Sequence, residues 1–245
     1  MKLFHRASNG ASVIPTSNGF RLEIPASTHN HYRLAQIDDY IRLPRHKFPA
    51  HPPMTFNLRA RVSSESIPGT WGFGLWNDPF GLSLRFGANP FSFPAMPNAI
   101  WFFHASPSNY LSFRNDKPAQ GFLAQTFSSP PFHPSLPYIS LALPFSKKRA
   151  RQLLGRIIEE DSADIHVDAT QWHTYRFGWD PNLSRFWVDE VLVLETPVSP
   201  RPPLGLVIWI DNQYAAFTPN GELKWGIETN PSEAWLEIEN LEITA

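Results

Sequence analysis

The sequence of 245 residues contains no cysteine. No disulfide can tie the fold together, and no thiolate can serve as nucleophile or metal ligand. An excess of one charge is also missing, with 21 Lys and Arg against 22 Asp and Glu, so there is no electrostatic case for a nucleic acid or an acidic membrane as partner. No apolar run approaches the roughly 18 residues of a spanning helix. Residues 1–20 carry Lys2 and Arg6 but lack the apolar block of a secretory signal, and a cytoplasmic location is expected. Cohesion must therefore come from packing. Nine Trp and 19 Phe supply it, since each large ring removes roughly 150–250 Å² from water. The 25 Pro against 13 Gly point to many turns and few helices. The length suits one all-β core, so a single domain over residues 1–245 is expected.

Residues 172–211 carry the clearest pattern. Trp172 to Trp179 alternates in side-chain type, Asp180-Pro181-Asn182 supplies turn chemistry, Leu183 to Val188 is extended again, and Asp189-Glu190 turns the chain into Val191 to Glu195. The spacing predicts an antiparallel meander followed by a strand that ends at Asp211. Met54 to Val62 places Met54, Phe56, Leu58, Ala60 and Val62 on one face and Thr55, Asn57, Arg59 and Arg61 on the other. Phe20 to Ile24 and Tyr32 to Leu43 read as edge or half-exposed strands, the second bent near Asp38-Asp39. Gly69 to Trp76 alternates glycine with large apolar residues until Asn77-Asp78-Pro79 stops it. Gly72 and Gly74 leave one face bare, where a ring or a ligand can approach the backbone. Gly81 to Phe86, Ala99 to His104, Tyr110 to Phe113, Gly121 to Thr126 and Ala234 to Ile243 add further strands. One stretch differs: Leu153, Leu154, Ile157 and Ile158 stand at helical spacing behind Ser146, which predicts one surface helix inserted at about 146–160. Before it, the Pro- and Ser-rich Phe127 to Pro144 reads as a loop, and the basic run Lys147 to Arg151 as a solvated helix face. The fold class expected is all-β, two antiparallel sheets in a sandwich with one short inserted helix.

Four segments carry a family likeness. WHTYRFGWDPNLSRFWVDEVLV, GTWGFGLWNDPF, PLGLVIWID and WLEIENLEI resemble, respectively, the strand-turn-strand-turn unit, the central Trp-rich strand, the strand after the hairpin and the closing strand of the concanavalin A-like lectin/glucanase superfamily. Within it the sequence is most similar to the laminarinase-like glycoside hydrolases. The resemblance implies a jelly roll with one sheet curved into a groove that in relatives holds an oligosaccharide. The sequence departs from the family at its catalytic motif. Family enzymes carry Glu-x-Asp-x-Glu or Glu-x-Asp-x-x-Glu on the strand after the Trp-rich one, because a retaining glycosidase needs two carboxyls about 5–5.5 Å apart. The corresponding strand here, Asn98 to His104, reads NAIWFFH and has no carboxylate. Glu237 to Glu242 repeats the spacing on the closing strand, where alternating Glu reads as the solvated face opposite Leu236, Ile238 and Leu241.

Trp71, Trp76, Trp101 and Trp209 are the candidate groove rings, since a sugar stacks its C–H face on an indole while neighbouring polar groups take its hydroxyls. Asn77, Asp78, Asn98, His104, Asp211, Asn212 and Gln213 are the polar candidates; for each, core packing or a hydrogen-bonded turn is the plainer alternative. Nine His without a His-Glu-x-x-His cluster give no zinc site. No cofactor is expected beyond the structural Ca²⁺ that the resemblance brings with it, for which Asp38 or Glu239 could contribute. Neither a Gly-x-Ser-x-Gly elbow nor a phosphate loop is present, since GTWGFG lacks the Lys and the following helix. Three readings follow. The first is a carbohydrate-binding or catalytically degenerate protein that takes an oligosaccharide or other small polar ligand in an aromatic groove. The second is an active glycoside hydrolase using non-standard carboxylates, with Asp78, Asp211 and the Glu237/Glu239 pair as candidates. The third is a scaffold whose aromatic surface is a protein interface.

Overall fold

The computed structural model describes residues 2–28, 31–79, 95–131 and 147–245. The expected strand Gly81 to Phe86, Ser146 and most of the Pro- and Ser-rich loop lie outside the described residues. Two seven-stranded sheets form the body. In the front sheet β1 (Phe4–Ser8), β4 (Leu34–Asp38), β13 (Gly205–Asp211), β6 (Thr70–Trp76), β7 (Ala99–Ala105), β8 (Gly121–Ser128) and β9 (Glu159–Asp164) lie side by side in that order. In the back sheet the order is β12 (Val191–Thr196), β11 (Leu183–Val188), β10 (His173–Asp180), β5 (Met54–Val62), β16 (Ala234–Thr244), β3 (Gly19–Ile24) and β2 (Ser12–Pro15). A separate hairpin, β14 (Gln213–Phe217) with β15 (Leu223–Ile227), and the helix α1 (Lys147–Ile157) complete the described elements. Neighbouring strands pair antiparallel, so the expected all-β sandwich is the fold observed.

Period-two alternation builds the core. β5 buries Met54, Phe56, Leu58, Ala60 and Val62, as its pattern requires. Phe56 faces Phe177 across the β5–β10 ladder, with rings stacked at 4.6 Å, and reaches Phe73 of the front sheet at 6.4 Å. The meander appears as β10, β11 and β12. Asp189 and Glu190 both take positive φ, 47° and 67°, the two-residue turn whose twist suits a hairpin.

The closing strand settles the second acidic motif. On the outer face of the back sheet Glu237 stands opposite Arg61 and Glu239 opposite Arg59, each in an ion pair, while Arg21 also reaches Glu237. Between Glu239 and Glu242 three positions of β16 span two of β5, with Asn240 at φ 52°. The Glu-x-x-Glu spacing is thus the footprint of a one-residue bulge.

Several expectations are corrected. β4 stops at Asp38, whose carboxylate accepts the Ile41 N–H at 2.9 Å, and it is an interior strand buried on both faces rather than an edge. Tyr110 to Phe113 makes only a single parallel bridge, Tyr110 to Ala216. The helix ends at Ile157, and Glu159 begins β9, because the Glu160 carboxylate is drawn inward by the Phe113 and Arg114 N–H groups, each at 2.9 Å. Lys147, Lys148 and Arg149 are exposed as expected, but Arg151 is 2% exposed. Its guanidinium donates to Phe217 O at 3.0 Å, Ser112 O at 2.9 Å and Asn115 Oδ1 at 2.8 Å. α1 is the expected surface helix, with Ala150 and Arg151 as its buried residues, and this arginine anchors it to the loops beneath. No helix among the described residues is long and apolar enough to cross a membrane.

Arg151→Met removes three hydrogen bonds and strands two carbonyls. Chemical denaturation is expected to show a loss of about 2–4 kcal/mol, whereas Lys148→Met, on the exposed turn, should cost under about 0.5 kcal/mol.

Candidate functional site

The face of the front sheet turned away from the core is aromatic. Trp209 on β13, Trp76 on β6 and Trp101 on β7 point outward and touch one another, with ring centroids 5.6–6.3 Å apart and Trp76 parallel to Trp209 within 7°. The glycines of β6 make this possible. A Cβ on Gly72 would lie 2.8 Å from the Trp209 ring, and one on Gly74 would lie 2.6 Å from Trp101 Cβ. The bare face of the Trp-Gly alternation therefore receives a ring, as its sequence suggests. Each indole N–H is fixed by a protein acceptor: Trp209 by Thr70 Oγ1 at 2.9 Å, Trp76 by Tyr40 Oη at 2.7 Å, Trp101 by Gln125 Oε1 at 3.1 Å. The rings are thereby held in place, and what they offer a ligand is π-surface. Trp209 is 8% exposed, while Trp76 and Trp101 remain half-buried. Leu43, Tyr40 and Phe48 close one flank; Phe113, Phe127 and Leu154 of α1 close the other. Trp71 takes no part, since it is buried on the core side.

The polar candidates divide. Asp211 belongs to the aromatic floor, where its carboxylate accepts from Thr70 Oγ1 at 2.7 Å and Tyr32 Oη at 3.3 Å. Because Thr70 also accepts from Trp209, Asp211 indirectly orients that ring. Burial pushes the Asp211 carboxyl up to about 7 despite these donors. Gln213 is half-buried beside it at the start of β14. His104 faces the core, stacked on Trp71 at 5.3 Å, where burial takes its pKa down to about 4. Asn77 and Asn98 clamp the opposite end of the sheet: Asn77 Oδ1 accepts the Asn98 N–H at 3.0 Å, and Asn98 Oδ1 accepts the N–H groups of Ser129 at 3.0 Å and Arg201 at 2.9 Å. Asn212 is buried, donating to His31 O at 3.0 Å and Glu228 O at 2.8 Å and accepting from Arg33 N at 2.8 Å. These three amides hold loops together. Asp78 leaves β6 at φ 47°, buried beside Tyr40 and Arg45.

Catalytic geometry can be tested strand by strand. β7 turns Ala99, Trp101, Phe103 and Ala105 outward, so the positions where paired acids would stand hold none. The carboxylates on outward positions of the front strands are Asp38, Asp211, Glu160 and Asp164. Asp38 is opposite Val207, four residues from Asp211, a separation of about 13 Å. Asp164 lies four strands from Asp211, about 19 Å away, and Glu160, in line with Gly205 at the other end of β13, is farther still. Asp78 follows the Trp76 end of β6 while Asp211 pairs with Thr70 at the other end, so they are about 20 Å apart. Glu237 and Glu239 are on the other sheet. None of these pairs approaches the separation of either glycosidase mechanism, at most about 9.5 Å.

The carboxylates proposed for calcium do not fit a cation. Asp38 accepts from the Arg6 guanidinium at 3.0 Å and from Gln36 Nε2 at 3.1 Å, and Glu239 is paired with Arg59. A Ca²⁺ taking six to eight oxygens would displace or repel these donors. Sequence reasoning missed Tyr40, Thr70 and Gln125, although period two counted back from Trp76 places Thr70 on its face.

Asp211→Asn tests the carboxyl. With its folded pKa above its unfolded value, Asp211 binds a proton more tightly in the folded state, so its contribution to stability is full below about pH 4 and is lost as pH rises through about 7. The stability difference, variant minus parent, should increase between pH 5 and pH 8 by up to about 2.5 kcal/mol, measured by denaturation at each pH. A flat difference would overturn the assignment.

No protein-family model matches the sequence, and no curated protein is similar enough to count as a relative. Solved structures are alike in fold. A legume lectin-like domain from Entamoeba histolytica aligns with a TM-score of 0.52 at 11% identity, over 99% of this chain and 89% of that one. LamAcat from Zobellia galactanivorans aligns at 0.51 with 15% identity, over 93% and 80%. An endo-β-galactosidase from Clostridium perfringens, named for releasing GlcNAcα1-4Gal, aligns at 0.50 with 13% identity, over 94% and 53%. The two facing seven-stranded antiparallel sheets and these alignments give the chain the concanavalin A-like lectin/glucanase fold.

Proposed function

We propose that the protein binds carbohydrate without hydrolysing it, on the outward face of the front sheet. The observation that carries this reading is β7: where a glycosidase of this fold needs acids it presents Trp101 and Phe103, and Trp101 lies half-exposed against Trp76. A pyranose ring set on one of these indoles, whose planes are inclined by 44°, exchanges hydration of its C–H face for dispersion contact, while its hydroxyls remain in water or meet Gln213 at the rim. Because the indole N–H groups are already bonded to protein, the rings lose little freedom when a ligand arrives. The folds sharing this architecture include, by their names, a lectin-like domain and an endo-β-galactosidase, which supports the ligand class.

Calorimetry and Trp fluorescence with soluble β-glucan, galactan and xylan oligomers test the reading. At least one should bind, and Trp101→Ala or Trp76→Ala should weaken it by about ten-fold or more. No reducing sugar should be released on long incubation. Absence of binding by every sugar class would sink the proposal, and hydrolysis would refute its non-catalytic half.

A further inference from the structure

The hairpin of β14 and β15 carries a large exposed ring. Its ladder pairs Gln213 with Ile227, Ala215 with Trp225 and Phe217 with Leu223, so these six residues share one face. Both ends of that face touch the outer side of the front sheet. Ile227 packs into the cluster containing Trp209 and Phe103. Phe217 meets Phe113 at 6.1 Å, and Phe113 meets Phe127, an outward residue of β8, at 6.1 Å. Trp225 stands on the middle rung, about 7 Å along the strand from Ile227, and yet it is 63% exposed, with Leu223 at 55%.

A single exposed ring is ordinary on a protein surface. This one is set apart by the rigidity of what bears it. Tyr110 N–H donates to Ala215 O at 3.0 Å, Phe217 N–H returns to Tyr110 O at 2.9 Å, and the buried Arg151 holds Phe217 O. On the opposite face the Tyr214 ring covers Gly226 so closely that a Cβ there would lie 2.7 Å from it. The hairpin is a braced wall next to the indole floor.

We propose that Trp225 is a second stacking platform of the carbohydrate site and that the ligand is an equatorially linked, gluco-configured oligosaccharide of three or more sugars. This rests on the carbohydrate-binding reading above. Two platforms on differently directed surfaces, floor and wall, are most readily served by sugars that offer C–H groups on either face. A pyranose with every ring substituent equatorial does so, whereas the axial O4 of a galacto-configured ring puts an oxygen on one face. A second copy of the chain is a poorer occupant, because one Trp and one Leu fall far short of the roughly 800 Å² per partner of a stable interface.

Calorimetry on the full chain with β-linked gluco- and galacto-configured hexasaccharides, and with the matching disaccharides, distinguishes the outcomes. The parent should prefer the gluco hexasaccharide. Trp225→Ala should weaken that ligand about ten-fold and the disaccharide by no more than about two-fold. Trp225→Phe should restore most of the loss, and the melting temperature of both variants should match the parent because the ring is exposed. Unchanged hexasaccharide affinity in Trp225→Ala, with the parent binding normally, overturns the inference and leaves the carbohydrate reading standing. Equal or better binding of the galacto series overturns the sugar class. A parent dimer that Trp225→Ala dissociates, seen by light scattering, would assign the ring to an interface instead. A parent that binds no sugar removes the underlying reading and this inference together.

Discussion

Everything at the site depends on how closely β6 lets its neighbours approach. Its inward residues Trp71, Phe73 and Leu75 fill the space between the sheets, while outward it offers only backbone at Gly72 and Gly74. A Cβ at position 72 would also stand 2.5 Å from Phe102 O, so neither Trp209 nor the β7 backbone could keep its place. The glycines thus set two distances at once, strand to strand and indole to sheet. Without them the three tryptophans would be pushed apart, and the outward face would lose its continuous cluster of rings.

Three carboxylates at the ends of the strands act as clamps. Glu160 gathers the N–H groups of Phe113 and Arg114; Glu228 takes Gly69 N–H and the hydroxyls of Ser106 and Ser108; Asp38 takes Arg6, Gln36 and Ile41 N–H. A buried acid surrounded by donors from fixed backbone resists relocation, and its lone pairs point into loops rather than toward a ligand. Hydrolysis needs the opposite arrangement, two acids facing a shared void with one kept protonated. Burial does hold Asp211 near neutrality, which is half of that requirement, but Glu228, the acid at the same end of the sheet, is already engaged by Gly69 N–H and the hydroxyls of Ser106 and Ser108. What Asp211 does instead is orient Trp209 through Thr70.

Much of this was legible in the sequence because period two is a strong constraint. β5, β6 and the β10–β12 meander were readable from alternation alone, and so was the outward course of Glu237 and Glu239. The same rule carried a warning in NAIWFFH: Trp101 and His104 are three residues apart, so one strand cannot aim both at one groove, and His104 goes to the core. β1, β2, β14 and β15 were not legible. QYAAF is half-buried or buried on both faces, and FHRAS half-buries Phe4, Arg6 and Ser8 and exposes His5 and Ala7, so neither shows an apolar–polar alternation to read. β4 misleads because Gln36 and Asp38 look like a solvent edge, when the Arg6 guanidinium and Tyr40 cover them. Arg151 misleads for the same reason, since a cation on a helix reads as exposed until loop carbonyls enclose it.

β13 brings these constraints together. At one end the Asp39 carboxyl accepts the Leu206 N–H at 2.8 Å, at the other end stands Asp211, and burial raises both to about 7. Each binds a proton more tightly folded than unfolded, so together they favour the folded front sheet as pH falls from 7 toward 4. His104, lowered to about 4 on β7 of the same sheet, acts in the reverse sense, because the unfolded chain gains its proton first on acidification. On β13 and its neighbours, two groups thus favour the fold on mild acidification and one opposes it. The strand that carries Trp209 is therefore stabilised from both ends as the pH falls below neutrality, and the acid that orients the ring is one of the two groups responsible.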